Sequence, residues 1–400
     1  MARIYGWSWE DKPERAVAGD QFIEKDTGQE WYFDGKQWRR IPRQRSVATA
    51  VVRIDGNYYV TEDDVGDEIE SNESNASKII QAAIDYVAGK GGGEVRIREG
   101  EYLISTTLTV QNSYVSIIGS GMSTILKLSD GADIDILKII GDGVIKCRVE
   151  NLKIDGNKAN NTSGRAIYIE TPHVTTDAQH TLRNIFVWQM AGDGIVISGD
   201  TREVVIDDVY VYKCEGHGFY LNGSDHKITN SVAGGNGKHG WWLVCANSQL
   251  SNCKAFGNGY NYSPPNYYYG FYLRANCLQL VNCQAQDNKL HGFVIYDRAH
   301  CVLVGCLADS NGWESSGYAG FKLDAAEYCV LVGCRSYDRF DPKKQSYGLE
   351  VTDLCTNNLI VGNVFSGNAV ANVSISNTAL TNNVCLLYTS DAADDGESVD

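Results

Sequence analysis
The sequence predicts an all-β fold, a right-handed parallel β-helix with a short N-terminal capping helix and a small N-terminal β module, and three observations carry that prediction. One phrase, a variable residue followed by glycine and a large apolar residue, occurs seven times: Asp193-Gly194-Ile195, His217-Gly218-Phe219, His239-Gly240-Trp241, Tyr269-Gly270-Phe271, His291-Gly292-Phe293, Ala319-Gly320-Phe321 and Tyr347-Gly348-Leu349. From glycine to glycine the steps are 24, 22, 30, 22, 28 and 28 residues, the spacing of a solenoid whose coils bury themselves against one another. A second phrase keeps step with it, strongest in Leu280-Val281-Asn282-Cys283, Leu303-Val304-Gly305-Cys306 and Leu331-Val332-Gly333-Cys334. Short apolar runs broken by Asn or Gly at this spacing read as two or three strands per coil joined by tight turns. Thirdly, Lys78 to Val87 has apolar residues three and four apart and leads into Gly91-Gly92-Gly93, the pattern of an amphipathic helix with a glycine stop.

Taken in chain order, residues 1–45 make a separate small module. Gln21-Phe22-Ile23-Glu24, Trp31-Tyr32-Phe33 and Trp38-Arg39-Arg40-Ile41 are short strands divided by the turn signals Asp26-Thr27-Gly28 and Asp34-Gly35-Lys36. Gly19-Asp20-Gln21-Phe22-Ile23 through Trp38 resembles a short β motif of virion structural proteins of tailed bacteriophages. Residues 46–74 read as a linker or neck, and 75–384 as the β-helix. Within its first part the order is helix, Gly-rich stop, Gly100-Glu101-Tyr102-Leu103-Ile104, then Ile117-Ile118-Gly119-Ser120-Gly121. That order resembles the N-terminal part of the pectate-lyase superfamily domain (pectin lyase-like) found in phage tailspikes and depolymerases. The resemblance implies that the helix covers the open apolar end of the first coil, where a bare sheet edge would otherwise be exposed. Residues 385–400 stand apart: Cys385 to Asp394 resembles the translation of a transposase-type sequencing adapter read in frame, so they are expected to carry no function.

The long steps arise from residues added just before the glycine phrase, in Tyr260 to Tyr268, Trp313 to Tyr318 and Arg339 to Ser346. All three additions hang from the same turn of nearby coils, and insertions on one face of a solenoid mark a binding face. The first is rich in aromatic side chains: Tyr260, Tyr262, Tyr267, Tyr268 and Tyr269 flank Pro264-Pro265, with Trp241, Trp242 and Trp313 on or near the same side. Flat rings with polar edges suit sugar faces. The competing expectation is that Trp241 and Phe271 fill the coil interior and the tyrosines pack their loop on itself.

Composition narrows the function classes. A formal net charge of −15 disfavours a nucleic-acid partner, which needs clustered Lys and Arg, and disfavours a strongly anionic polysaccharide unless cations bridge the contact, so neutral or weakly charged glycans fit better. There is no run of eighteen apolar residues, so no membrane insertion is expected. The opening Met1-Ala2-Arg3-Ile4-Tyr5-Gly6-Trp7 lacks the apolar core of a signal peptide, which predicts synthesis in the cytoplasm. Twelve cysteines would suit a disulfide framework, but Cys253, Cys283, Cys306 and Cys334 recur at one coil position and read as a buried column of reduced thiols. No Cys-x-x-Cys pair points to a metal site.

The variable position of the glycine phrase stacks Asp193, His217, His239, Tyr269, His291, Ala319 and Tyr347 about one strand spacing apart, ~4.8 Å, close enough to share a ligand. Asp193, Glu215, His217, His239 and His291 are therefore the candidate catalytic residues, with a solvated ladder as the alternative. Asp193 and Glu215 on adjoining coils could form the carboxylate pair of a glycosidase; Asp207, Asp208, Asp225, Asp297, Asp324 and Glu350 are also available. A lyase would use a base such as His239 or His291, with Lys238 or Lys289, and a neutralising cation such as Ca2+; otherwise no cofactor is implied. Gly216-His217-Gly218 is similar to the Gly-His-Gly of polygalacturonases, which would make Asp193 an acid and His217 its support. Gly192 stands where that family has its first aspartate, and Gly240-Trp241-Trp242 where it has Arg-x-Lys, so the resemblance is incomplete.

Together these features predict a phage tailspike-like protein, a homotrimer joined to the virion by its N-terminal module, that binds and cleaves a bacterial surface polysaccharide. The alternatives are a non-catalytic glycan-binding or structural β-helix adhesin, and a free bacterial polysaccharide lyase.

Overall fold
The computed structural model describes residues 2–7, 9–25, 30–40, 48–72, 74–172, 178–261, 263, 266–314 and 316–389. Tyr262, Pro264, Pro265 and residues 390–400 lie outside the described residues.

The N-terminal module is a four-stranded sheet. Arg3–Gly6, which the sequence pattern does not reveal, pairs in parallel with Gln21–Glu24, and Glu30–Phe33 and Trp38–Arg40 follow antiparallel. Phe22 is its buried centre, packed edge-on against Trp38 at 6.1 Å. Residues 46–74, read from the sequence as a linker or neck, contain three strands. Ala50–Asp55, Tyr58–Asp63 and Glu68–Asn72 form an antiparallel meander, and the first pairs in parallel with Gly93–Ile97 of the opening coil. Val51, Val52 and Val60 are buried, so the segment extends the solenoid's sheet and its core.

The helix Ala76–Gly89 starts where Asn75 accepts the Lys78 N–H at 2.9 Å, a side-chain cap of one of its unpaired amides. It ends at Gly91 and Gly92, whose φ angles of 87° and 115° are left-handed and favour glycine. Ile79, Ile80, Ala83, Ile84 and Val87 form its buried face and join the core of the first coil.

From there the chain winds as a parallel solenoid with an 11-stranded sheet on one side and a 22-stranded sheet around the rest. In the 11-stranded sheet the apolar residue of each glycine phrase falls in one inward column, Ile195, Phe219, Trp241, Phe271, Phe293, Phe321 and Leu349, all buried. Four rings stack almost parallel on Trp241 and its neighbours: Phe219 to Trp241 at 3.8 Å, Trp241 to Phe271 at 5.9 Å and Phe271 to Phe293 at 4.7 Å.

The glycines preceding that column are required by close approach, not by backbone conformation. A Cβ on Gly240 would stand 2.8 Å from the Gly270 carbonyl and 2.8 Å from Asn258 Nδ2, and one on Gly218 would meet the next coil in the same way. The amide that crowds them belongs to a buried ladder, Asn236, Asn258, Asn288, Asn311 and Gln345. Each Nδ2 from Asn236 to Asn311 donates to the next side-chain oxygen at 2.9 to 3.1 Å, and that oxygen also takes a backbone N–H. The turn residues of the second phrase behave differently: Asn252, Asn282, Gly305 and Gly333 have φ of 54°, 52°, 60° and 63°, the left-handed conformation Asn and Gly tolerate best. The cysteine column is buried and free of disulfides, and Cys283 and Cys306 donate to carbonyls of the preceding coil at 3.7 and 3.5 Å. The last rung is closed by Val384–Thr389, paired in parallel with Leu359–Ser366, so the strand runs on past residue 384.

Among the described residues no helix is long and apolar enough to cross a membrane.

Candidate functional site
Strand alternation decides what the 11-stranded sheet shows to the outside. Each inward residue of the column is followed by an outward one, giving Tyr168, Val196, Tyr220, Trp242, Tyr272, Val294, Lys322 and Glu350 in register on successive rungs. Tyr220 and Trp242 meet edge to face at 5.0 Å, and Trp242 and Tyr272 lie 6.4 Å apart. At the far end Lys322 Nζ stands 3.3 Å from Glu350 Oε1 and 3.9 Å from Asp324 Oδ2. Among the described residues, two polar atoms of this column are buried without a hydrogen-bond partner, Trp242 Nε1 and Glu350 Oε2, a costly state that a native protein rarely leaves unexplained.

The variable-position column borders this face, and its geometry is specific. Asp193 accepts the His217 backbone N–H at 2.6 Å; His217 Nδ1 accepts that of His239 at 3.2 Å, and His239 Nδ1 that of Tyr269 at 2.8 Å. His291 Nδ1 accepts the Ala319 N–H at 2.8 Å. Each side chain thus satisfies the next coil's backbone, and a ring nitrogen that accepts leaves its proton on Nε2. All three histidines are buried. Burial pushes His217 and His291 down to about 3 and His239 well below the ordinary histidine value, so the rings are neutral. Burial raises the Asp193 carboxyl, against the His217 N–H and the charge of Lys238.

Asp193 and Glu215 go to different partners. Glu215 is tied to Lys158 Nζ at 2.6 Å, Tyr260 Oη at 3.1 Å and Asn261 Nδ2 at 3.0 Å, and the Lys158 ammonium holds its carboxyl below the usual range. The first insertion joins the two places. Tyr260 reaches Glu215, while the Tyr268 ring stands edge-on over His217 at 6.2 Å and His239 at 5.4 Å. Tyr269 lies between His239 and His291, 5.3 Å from each. Tyr267 is 46% exposed. Tyr318, closing the second insertion, covers His291 at 4.9 Å, and Trp313 packs on Phe340 of the third at 4.7 Å. Tyr268 of the first insertion and Tyr318 of the second thus stand against the histidine column, and the second and third insertions meet at Trp313 and Phe340. Trp241 and Phe271 fill the interior, as the competing expectation had it. Among the described residues no group of three or more His, Cys, Asp or Glu is placed to hold a metal ion.

The buried histidines make a pH prediction. His180, His217 and His291 are held at about 4, about 3 and about 3 in the fold against 6.5 ordinarily. Below pH 6.5 the unfolded chain takes up protons that the folded chain refuses. Their contribution is thus whole above that pH and is lost as the pH falls toward the folded values, by up to ~1.4 kcal/mol per histidine per pH unit. The urea midpoint should drop between pH 7 and pH 5, and the drop should shrink in His291→Asn; a midpoint independent of pH over that range would refute the buried neutral state.

A family model described as a right handed beta helix region matches residues 129–263, 193–320 and 265–388, well over half of the chain. The chain belongs to that β-helix family. Among curated relatives, the mannuronan C5-epimerase AlgE2 of Azotobacter vinelandii is 31% identical over 208 residues, covering 46% of this chain but only 20% of that protein. The chain therefore spans about a fifth of that relative's length. Two solved β-helix structures share the fold. The A-module of the A. vinelandii mannuronan C-5 epimerase AlgE6 superposes with a TM-score of 0.58 at 19% identity, over 79% of this chain and 96% of that one. Tailspike protein gp49 of Acinetobacter baumannii bacteriophage Fri1, a capsular polysaccharide depolymerase, superposes with a TM-score of 0.57 at 13% identity, over 98% and 76%. The solenoid implied by the pectate-lyase resemblance of residues 70–130 is thus the fold of this β-helix.

The sequence points to the insertions and the variable column but passes over Tyr220, Tyr272 and Lys322. The signal was present: each follows the large apolar residue of a phrase directly, and a strand period of two turns that position outward.

Proposed function
We propose that this β-helix is a tailspike-like protein that binds a bacterial surface polysaccharide along the outer face of the 11-stranded sheet and cleaves it there. The observation that carries the reading is the run of Tyr220, Trp242 and Tyr272 on three successive rungs beside the wall formed by Tyr268 and Tyr318. Rings one strand apart offer successive sugar residues a stacking surface along the solenoid axis. The roles of its relatives support a glycan as the ligand, since an epimerase of mannuronan and a depolymerase of capsular polysaccharide both act on polymers of sugars.

Hydrolysis uses a carboxylate pair, and this face offers Asp324 and Glu350. Asp324 Oδ2 and Glu350 Oε1 lie 3.9 and 3.3 Å from the Lys322 ammonium, so these two oxygens are at most about 7 Å apart, near enough to flank one glycosidic bond. One carboxyl protonates the glycosidic oxygen as its C–O bond breaks, and the other takes a proton from the water whose oxygen bonds to the anomeric carbon. The histidines serve as the structural edge of the groove, because their Nδ1 atoms are already committed to backbone.

A panel of bacterial capsular polysaccharides tests the reading. Wild-type protein is expected to bind at least one member and to release reducing ends from it, and Trp242→Ala to weaken binding by about tenfold, ~1.4 kcal/mol. Release of unsaturated uronate, seen by its absorbance, would move the chemistry to a lyase. Binding without release leaves a glycan-binding adhesin. Equal binding by wild type and Trp242→Ala removes the outward column from the site.

A further inference from the structure
We infer that the glycan bound on this face carries a carboxylate and that Arg274 is the residue that reads it; the inference rests on the glycan-binding reading above and adds the substrate class. Arg274 directly follows the strand Phe271–Leu273, and its backbone N–H bonds to the Leu243 carbonyl of the preceding rung at 2.8 Å, which holds it in the sheet. Its guanidinium is flanked by the rings of Tyr272, at 5.7 Å, and Tyr296, at 4.7 Å, on the next rung. Nη1 donates to the Tyr272 hydroxyl at 3.1 Å.

Among the described residues no carboxylate lies within ion-pairing distance of it, whereas Arg165, Arg298, Arg339 and Lys322 each have one. A guanidinium has five donors in a rigid plane, and one donor of Arg274 is spent on Tyr272. The two rings fix the plane without neutralising it, leaving a half-buried cation with free donors beside Tyr272, the third ring of the aromatic run. Planar, bidentate recognition of a carboxylate is what such a fork does best. The formal net charge of −15 belongs to the whole chain and does not describe this face, where Arg274 has no counter-ion among the described residues.

The probes are the capsular polysaccharides of the panel, each used native and after carbodiimide activation and borohydride reduction, which converts –COO− to –CH2OH and leaves neutral sugars, sulfates and phosphates intact. Wild type is expected to bind an acidic member and to lose about 10- to 100-fold in affinity when its carboxyls are reduced. Arg274→Met should bind the native polymer about as weakly as wild type binds the reduced one, and Arg274→Lys should recover only part of the loss, because an ammonium cannot pair in bidentate fashion. Trp242→Ala should weaken native and reduced forms alike. The inference is overturned if wild type binds a neutral polymer, if carboxyl reduction leaves affinity unchanged, or if Arg274→Met binds as wild type. Binding that survives reduction but is lost in Arg274→Met places a sulfate or phosphate there and overturns the carboxylate assignment. Failure of the site itself reads differently: no polymer of the panel is bound, or Trp242→Ala has no effect.

Discussion

Trp241→Ala is expected to destabilise the protein by about 3–5 kcal/mol, the largest single effect on stability, as is usual for emptying a buried aromatic site. Trp241 is fully buried in the inward column, with Phe219 on one side at 3.8 Å and Phe271 on the other at 5.9 Å, both nearly parallel to it. Its Nε1 also donates to the Lys254 carbonyl at 3.1 Å across the coil, so alanine leaves a cavity and removes that hydrogen bond. A solenoid cannot collapse around such a cavity by shifting one coil, because the backbones above and below are locked in register by their ladders. The measurement is the urea midpoint, or the unfolding rate at fixed urea where refolding is incomplete. Trp241→Phe should cost much less, since it keeps a ring in the stack. A loss under 1 kcal/mol in Trp241→Ala would show that the stack does not bear on stability. Trp242→Ala, one residue along, should cost less than Trp241→Ala, because strand alternation sends that side chain out of the core to pack only against the outer rings.

Glu350→Gln is expected to lower product release by about 10²- to 10⁴-fold, the usual worth of a positioned acid or base, while polymer affinity stays within a few-fold of wild type. Glutamine keeps the shape and the contact with Lys322 but can neither give nor take the proton. Asp324→Asn should act alike, since the two carboxyls divide the acid and base roles about one ammonium. Glu215→Gln is the informative contrast. Its carboxyl is held by Lys158, Tyr260 and Asn261, so the substitution should loosen the first insertion and leave turnover largely intact. Initial rates of reducing-end formation, with binding measured separately, decide the matter. Wild-type turnover in Glu350→Gln would eliminate this pair, and loss of turnover in Glu215→Gln would return catalysis to the Asp193 end of the groove.

Much of this molecule is legible in its sequence because a solenoid repeats its local rules. The glycine phrase marks where one coil's backbone and amide ladder approach the next too closely for a Cβ, as at Gly240. The Asn or Gly of the second phrase marks the left-handed turn, as at Asn282 and Gly305. The helix over the first coil is written in the spacing of Ile79, Ile80, Ala83, Ile84 and Val87. The strands of 50–72 were harder to read: their alternation is short and interrupted, and their pairing with Gly93–Ile97 is non-local.

The candidate site divides along the same line. By itself the sequence determined the solenoid, the column before the glycines and the side on which the insertions fall, since period and turn chemistry are local properties. Only the tertiary structure decided what those residues do. It spends the Nδ1 atoms of His217, His239 and His291 on the backbone of the next coil, ties Glu215 to Lys158 across coils, and leaves Arg274 between two tyrosines with no counter-ion among the described residues. Each of those outcomes depends on which side chains from separate coils are brought within hydrogen-bond reach, and no spacing along the chain encodes that.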